Sequence, residues 1–452
     1  MQYETWYDRR EQEVIEGLFT YLRFQSVSAD PKRKGEVLAC AEWVKNQLHN
    51  LGCKTRFLKG SGYPAIYAEK IVDNAFPTVL FYGHYDVQPE DPYELWTSPP
   101  FEPTLREGRI YARGAHDDKG QTYYLIRAVQ AFLEMNEKVR VNIKFLIEGE
   151  EEMGSTTLEE VAPKNAALLA ADYLLIVDSS IDSFKEPRIT VGYKGISTMQ
   201  VDLRVMRRDG HSGEYGGIAY NPLRALAEAL AKIYDERGRI TIDRFYDKVR
   251  TLSEEEKALL SFQFDPKKYK EEMGLEVFFP DEELTPKEVN GLLPVIEING
   301  LWGGYTGEGF KTVLPGVAHA KISCRIVPDQ EPREVFKQIS RFLRAHLPKG
   351  MQPDITYLGG GRGLWTSPTS KVSIRVKEAY EKVIKKPVRF EVHGASIPIA
   401  HLLAGVTKAE VAFVGVGLSV DAIHAPDESF SLYQLRTGFL MIAAFLQALQ
   451  EE

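Results

Sequence analysis

Three blocks of the chain set imidazole and carboxylate side chains just beyond apolar, strand-like stretches. They are Phe81-Tyr82-Gly83-His84-Tyr85-Asp86, Arg113-Gly114-Ala115-His116-Asp117-Asp118-Lys119-Gly120, and Glu148-Gly149-Glu150-Glu151-Glu152-Met153-Gly154-Ser155. Asp178 follows another apolar run, and His424 lies late in the chain, in Ala422-Ile423-His424-Ala425-Pro426-Asp427-Glu428. Taken singly, each is ordinary: a glutamate run is usually a solvated face, and Asp117-Asp118-Lys119-Gly120 could be a turn before a helix. A lone histidine before Ala-Pro is more often a loop residue. Five such groups in series at strand ends describe a metal site.

The charges support that reading. Two divalent cations carry four positive charges, and Asp117, Glu152 and Asp178 with one bridging hydroxide carry four negative ones. His84 and His424 would give each ion one imidazole, and mixed nitrogen and oxygen ligation suits zinc, with manganese or cobalt as alternatives. Asp86, two positions beyond His84, could accept the other imidazole N–H and fix its tautomer. Glu151, beside a ligand yet free of the metal, could take a proton from the bridging water and return it to a leaving amine. The combination describes metal-assisted hydrolysis.

These groups need a scaffold. Helical spacing at residues 14–22 and 38–51 predicts a helical lead-in, stopped by Gly52. Short apolar strands then alternate with helices: strands at 65–68, 78–82, 141–147 and 173–177, helices at 121–135 and 158–169. That alternation predicts an α/β layer with a mostly parallel sheet flanked by helices, whose ligands gather at the carboxyl ends of the strands. Near residue 193 the pattern changes to strict alternation over 197–205, as in a sheet with one solvated face. A helix opened by Asn221-Pro222, a charged stretch over 253–288, strands at 295–298 and 319–327 and a helix at 331–343 follow. The run Gly359-Gly360-Gly361-Arg362-Gly363 reads as a hinge. Beyond it a helix at 372–383, a strand at 411–414 and a helix at 432–449 resume the first style. Residues 1–192 and 361–452 are therefore read as one domain, with an α+β domain of 193–360 inserted.

The chain has 452 residues, 44% of them apolar, enough for two cores. A net charge of −8 with interspersed signs provides no footprint for nucleic acid or an anionic membrane. The N-terminus lacks signal-peptide character, and no apolar run approaches the roughly 20 residues that span a bilayer, so a cytoplasmic location is expected. Cys40, Cys53 and Cys324 read as buried free thiols, leaving histidine and carboxylate to hold any metal.

In order and spacing, His84-Tyr85-Asp86, Gly114 to Gly120, Glu151-Glu152-Met153-Gly154-Ser155, Asp178 and His424 resemble metallopeptidase family M20, the aminoacylase-1 family. The likeness runs over nearly the whole chain. It implies two metal ions per subunit, with His84 on one, His424 on the other, Asp117 bridging, Glu152 and Asp178 as terminal carboxylates, and a cis bond between Asp117 and Asp118. Asp86 would orient His84, and Glu151, with its register counted back from Gly154-Ser155, would be the general base. The inserted domain resembles the family's lid.

Its segment Asp209-Gly210-His211-Ser212-Gly213-Glu214 resembles the carnosine-dipeptidase-like branch. This implies that His211 reaches the active site of a neighbouring subunit and that the lid makes a homodimer. Thr312 and Arg325, with Gly394 and Ser396, would by the same resemblance hold the substrate, Arg325 clamping its carboxylate. His116, His393 and His401 receive no role. The expected activity is hydrolysis of the amide bond in dipeptides or short peptides with a free C-terminal carboxylate. An N-acyl amino acid amidohydrolase or a carboxypeptidase would share the metal centre, and a catalytically silent binding module is the third alternative.

Overall fold

The apolar runs in the first part are continuous because both faces of their sheet are covered. In the strand Thr78–His84, Val79 and Phe81 enter one core, while Leu80 and Tyr82 enter another on the opposite face. Ile143, Phe145 and Ile147 repeat this against Leu146. The computed structural model describes residues 2–181, 183–278 and 283–451.

Six strands form the central sheet, in the order Lys54–Leu58, Ala65–Lys70, Asn142–Glu148, Thr78–His84, Tyr173–Ile176, Glu410–Phe413. The last four are parallel and the first two form an antiparallel edge. The helices Gln2–Leu22, Lys119–Met135, Lys371–Ile384 and Leu432–Gln450 cover one face, and Pro398–Thr407 covers the other. This is the expected α/β arrangement.

A second core belongs to an antiparallel sheet ordered Val295–Gly303, Val317–Ile326, Gly195–Arg204, Asp354–Gly361. Burial alternates along Gly195–Arg204, so one face is packed and one faces solvent. The packed face takes the helices Pro222–Ala231 and Pro332–His346, the latter through Val335, Ile339 and Leu343 at a spacing of four. Asn221 caps Pro222–Ala231 by accepting the N–H groups of Leu223 and Arg224.

Several elements differ from the sequence reading. The first helix starts at Gln2 rather than near 14, because Trp6 and Tyr7 pack on Phe439 with ring centroids 5.4 and 5.0 Å apart. The helix expected over 158–169 is broken at Pro163, which cannot donate to the helical ladder. Gly359, Gly360 and Gly361 lie in the strand Asp354–Gly361 and not in a hinge loop. A Cβ on Gly360 would sit 2.3 Å from the Ile196 carbonyl oxygen, so glycine permits a close strand approach. The helix Leu432–Gln450 is long and apolar enough to cross a membrane, contrary to the expected absence of such a run. Of its most apolar 18 residues 72% are buried, enclosed by the helices around it.

The charged stretch over 253–288 forms the helices Glu254–Leu259 and Pro266–Met273 in its described part; residues 279–282 lie outside the described residues. Its apolar flanks do not join the second core. Leu252 and Leu260 pack into the first, and the Ser261 N–H donates to the Phe390 carbonyl at 2.8 Å. All three cysteines are buried and free.

Candidate metal centre

Strand ends deliver the first ligands. Thr78–His84 and Asn142–Glu148 run parallel with His84 opposite Glu148, and the neighbouring Tyr173–Ile176 leads straight to Asp178. A Cβ on Gly83 would lie 2.7 Å from both Asp118 Oδ2 and Thr122 Oγ1, so glycine here lets the start of Lys119–Met135 close onto the strand. The His84 N–H then donates to Asp118 Oδ2 at 3.1 Å.

Asp117 is the centre of the cluster. Its Oδ1 is 3.0 Å from His84 Nε2 and its Oδ2 is 2.9 Å from His424 Nε2. Asp178 Oδ2 lies 3.9 Å from His84 Nε2, and Glu152 Oε2 lies 3.3 Å from His424 Nε2. Two ligand sets result, His84 with Asp117 and Asp178, and Asp117 with Glu152 and His424, each with its donor atoms within 4.8 Å of one another. The Asp117–Asp118 peptide is cis.

Asp86 sits behind this cluster, fully buried. His84 Nδ1 is 3.1 Å from its carbonyl oxygen and 3.3 Å from its Oδ1. The same carboxylate accepts Ser28 Oγ at 2.7 Å and the N–H groups of Glu151 and Glu152 at 3.3 and 3.2 Å. One side chain therefore orients an imidazole and the pair of glutamates together.

The electrostatics describe a site that wants cations. Burial pushes the Asp178 carboxyl up to about 6, with the Asp117 charge adding to it. Burial likewise raises Glu151 well above the ordinary carboxylate range, assisted by Asp178, Glu152 and Asp117 and opposed by His84. Burial would raise Asp117 too, yet hydrogen bonds from His424 and His84 outweigh it and hold the carboxyl below its usual value. Hydrogen bonds to Asp117 and Glu152 lift His424 to about 10. Glu152 Oε1 is buried without a protein partner. Crowded carboxylates, two imidazoles and an unpartnered buried oxygen fit a pair of divalent ions.

The remaining expected residues fall into two further groups. Arg325, on the strand Val317–Ile326, donates from Nη1 to Ser396 Oγ at 2.8 Å. Gly394 lies two residues away, with Asn290 so close that a Cβ on Gly394 would meet its Nδ2 at 2.6 Å. His211 pairs in register with Val313 beside Thr312, whose carbonyl accepts the Ser212 N–H at 3.1 Å. The His211 side chain is exposed, and its Nδ1 accepts the Gly213 N–H at 3.1 Å. Among the described residues no hydrogen bond or ion pair joins either group to the metal ligands.

Several neighbouring residues have no role in the sequence reading. Gln88 Nε2 donates to Glu152 Oε2 at 2.7 Å, and Ser28 holds Asp86. His116 is buried with Nδ1 3.1 Å from Asp421 Oδ2, an ion-pair distance outside hydrogen-bond geometry. His393 ends the strand Arg389–His393 with its ring centroid 5.6 Å from that of Tyr193, whose hydroxyl is 3.0 Å from Ser179 Oγ. His401 lies on the helix Pro398–Thr407. Glu428 is inside the block quoted for His424, and only its proximity to His424 in sequence hinted at it.

Residues 80–448 match Peptidase family M20/M25/M40. The chain belongs to that family. Among relatives of this M20 chain, the human Beta-Ala-His dipeptidase is 33% identical over 84% of this chain and 76% of its own length. The Cys-Gly metallodipeptidase of Schizosaccharomyces pombe is 27% identical over 98% of this chain and 96% of its own. An M20 family metallo-carboxypeptidase from Sulfolobus solfataricus superposes with a TM-score of 0.86 at 31% identity, covering 97% of this chain and all of the other.

Proposed function

We propose that this M20 chain is a two-metal dipeptidase. The observation that carries this reading is the single carboxylate, Asp117, facing one histidine through each oxygen, with Asp178 and Glu152 completing the two sides. His84, Asp117 and Asp178 would hold one ion, and Asp117, Glu152 and His424 the other; zinc fits the donors first, with manganese and cobalt as alternatives. When bound, such ions polarise the scissile carbonyl and acidify a water.

The chain's own groups do the rest. Asp86 keeps the His84 ring in one orientation. Glu151, buried with its proton affinity raised, takes the proton of the attacking water and hands it to the leaving amine. Arg325, braced by Ser396, pairs with the substrate's C-terminal carboxylate, with the Gly394 backbone beside it and Thr312 completing the pocket. His211, supplied by a second copy of the chain, donates to the developing oxyanion. Its exposure, and the apolar Ile298, Leu301 and Trp302 exposed on an edge strand, support a homodimer through a lid formed by 193–360 over a metal-binding domain of 1–192 and 361–452. Buried free thiols support a cytoplasmic location.

The likeness to a metallo-carboxypeptidase favours a second reading, cleavage of longer peptides at the same centre. The test is a panel of dipeptides, longer peptides and N-acetyl amino acids with zinc, manganese or cobalt added. Preferred dipeptide cleavage supports the proposal, while preference for longer peptides or N-acetyl amino acids replaces it with a carboxypeptidase or amidohydrolase. A protein that binds two ions and cleaves none of them is a silent binding module.

A further inference from the structure

His84 and Asp178 stand at the ends of neighbouring strands, so the sheet itself holds them. His424 has no such support. It sits half-exposed in a loop, at φ +59°, between two other residues of positive φ, Ala422 at +55° and Asp427 at +58°. Left-handed backbone at non-glycine residues persists only where surrounding contacts over-determine it. Something must therefore fix this loop against Asp117.

Glu428, four residues beyond His424, has the contacts to do so. Its side chain is fully buried. Oε2 accepts Arg113 Nη1 at 2.8 Å and the Gly114 N–H at 2.9 Å; Oε1 accepts the His116 N–H at 2.9 Å and the Asp117 N–H at 3.0 Å. A carboxylate offers about four lone-pair sites, and these four donors fill them. Glu428 is thus no metal ligand, and its charge is answered by Arg113, whose Nη2 donates to the Pro89 carbonyl at 3.0 Å. The Glu428 carbonyl in turn accepts the Ala112 N–H at 3.1 Å. On the other side of His424, Asp421 accepts the Leu418 N–H at 2.8 Å and Gln434 Nε2 at 2.6 Å, pairs with Arg109, and faces His116.

We infer that Glu428 is a positioning residue that locks the His424 loop onto the Asp117 loop and so sets the ion position shared by Asp117, Glu152 and His424. This rests on the two-metal reading above. The His84 side depends on it less, because two of its three ligands are placed by the sheet.

The test uses the full chain, stripped of metal and titrated with Co2+, following stoichiometry, both affinities and the visible absorption of each bound ion, beside the melting temperature of the metal-free protein. Glu428→Gln places an amide NH2 against N–H donors. Loss of an outer partner of a metal ligand typically costs about 10–100-fold in affinity. The expected result is that one Co2+ binding step weakens by about that factor with an altered absorption band, while the other keeps its parental affinity and band. Glu428→Asp, which keeps the charge, should recover part of the loss, and it carries the comparison alone if Glu428→Gln does not fold. Two unchanged steps overturn the inference, and so do two steps weakened equally together with a lower metal-free melting temperature. A parent protein that takes up fewer than two Co2+ ions would instead sink the two-metal reading, and the inference with it.

Discussion

The candidate metal cluster and the residues proposed to face substrate are built on different terms. The cluster is closed: His84, Asp117, Glu152, Asp178 and His424 contact one another directly, and Asp86, Gln88, Ser28 and Glu428 hold them from behind. The substrate side is open. Arg325 and Ser396 form one contact, His211 and Thr312 lie at a separate two-stranded ribbon where the Ser212 N–H donates to the Thr312 carbonyl, and nothing described joins either group to the cluster. The candidate metal ligands come together within one chain, whereas the proposed substrate groups stay apart, as the proposed completion by a second chain requires. Preorganisation is invested where charge must be stabilised, and looseness is left where a ligand must enter.

If that contrast is right, damage inside the cluster should be catalytic within one chain, and damage on the open side should act through substrate binding or through what a second chain supplies. The largest effect is expected for Glu151→Ala, whose kcat should fall by about 100- to 10,000-fold, the usual contribution of a general base, with two ions still bound by metal analysis. Parental turnover in that variant would remove Glu151 as the base. His211→Ala should lose on the order of 100- to 1,000-fold in kcat. Mixing it with Glu151→Ala should restore activity, since a mixed dimer holds one site with an intact Glu151 and an intact incoming His211. Failure of mixed dimers to recover would break the claim that the open side is completed by a second chain.

Arg325→Ala should act mainly on KM. Hydrogen bonds to charged groups contribute about 1.5–3 kcal/mol, so kcat/KM for a dipeptide should drop by roughly 10- to 100-fold, with a much smaller drop for a C-terminally amidated dipeptide. Equal losses on both substrates would make Arg325 structural. The smallest catalytic effect belongs to Ile339→Ala in the second core, fully buried on the helix Pro332–His346. It should cost about 2–5 kcal/mol of stability by denaturant titration while leaving turnover per folded molecule near parental.

Much of the cluster was legible in the sequence because His84 and Asp178 follow apolar runs that only a doubly covered strand explains, and the glutamates follow a third such run. Its pairing was not. Which carboxylate joins which histidine depends on the strand order, in which Thr78–His84 lies between Asn142–Glu148 and Tyr173–Ile176. The charged segment after Ser253 was misleading for a related reason. Its polar residues suggested an extension of the inserted domain, but Leu252 and Leu260 carry the packing and lead it to the first core. The glycines at 359–361 carried a signal of freedom that the fold used for close approach.

By itself the sequence determined the residue types of the metal set, the strand ends that carry them and the change from doubly buried to one-faced sheet, because these follow from local periodicity and side-chain chemistry. The tertiary structure alone decided that Asp86 serves the glutamates as well as His84 and that Glu428 reaches back to the Asp117 loop. Those facts join residues from some sixty to more than three hundred positions apart, as in the Asp86–Glu152 and Asp117–Glu428 contacts, and only the packed sheet and its crossing helices bring such residues within hydrogen-bonding distance.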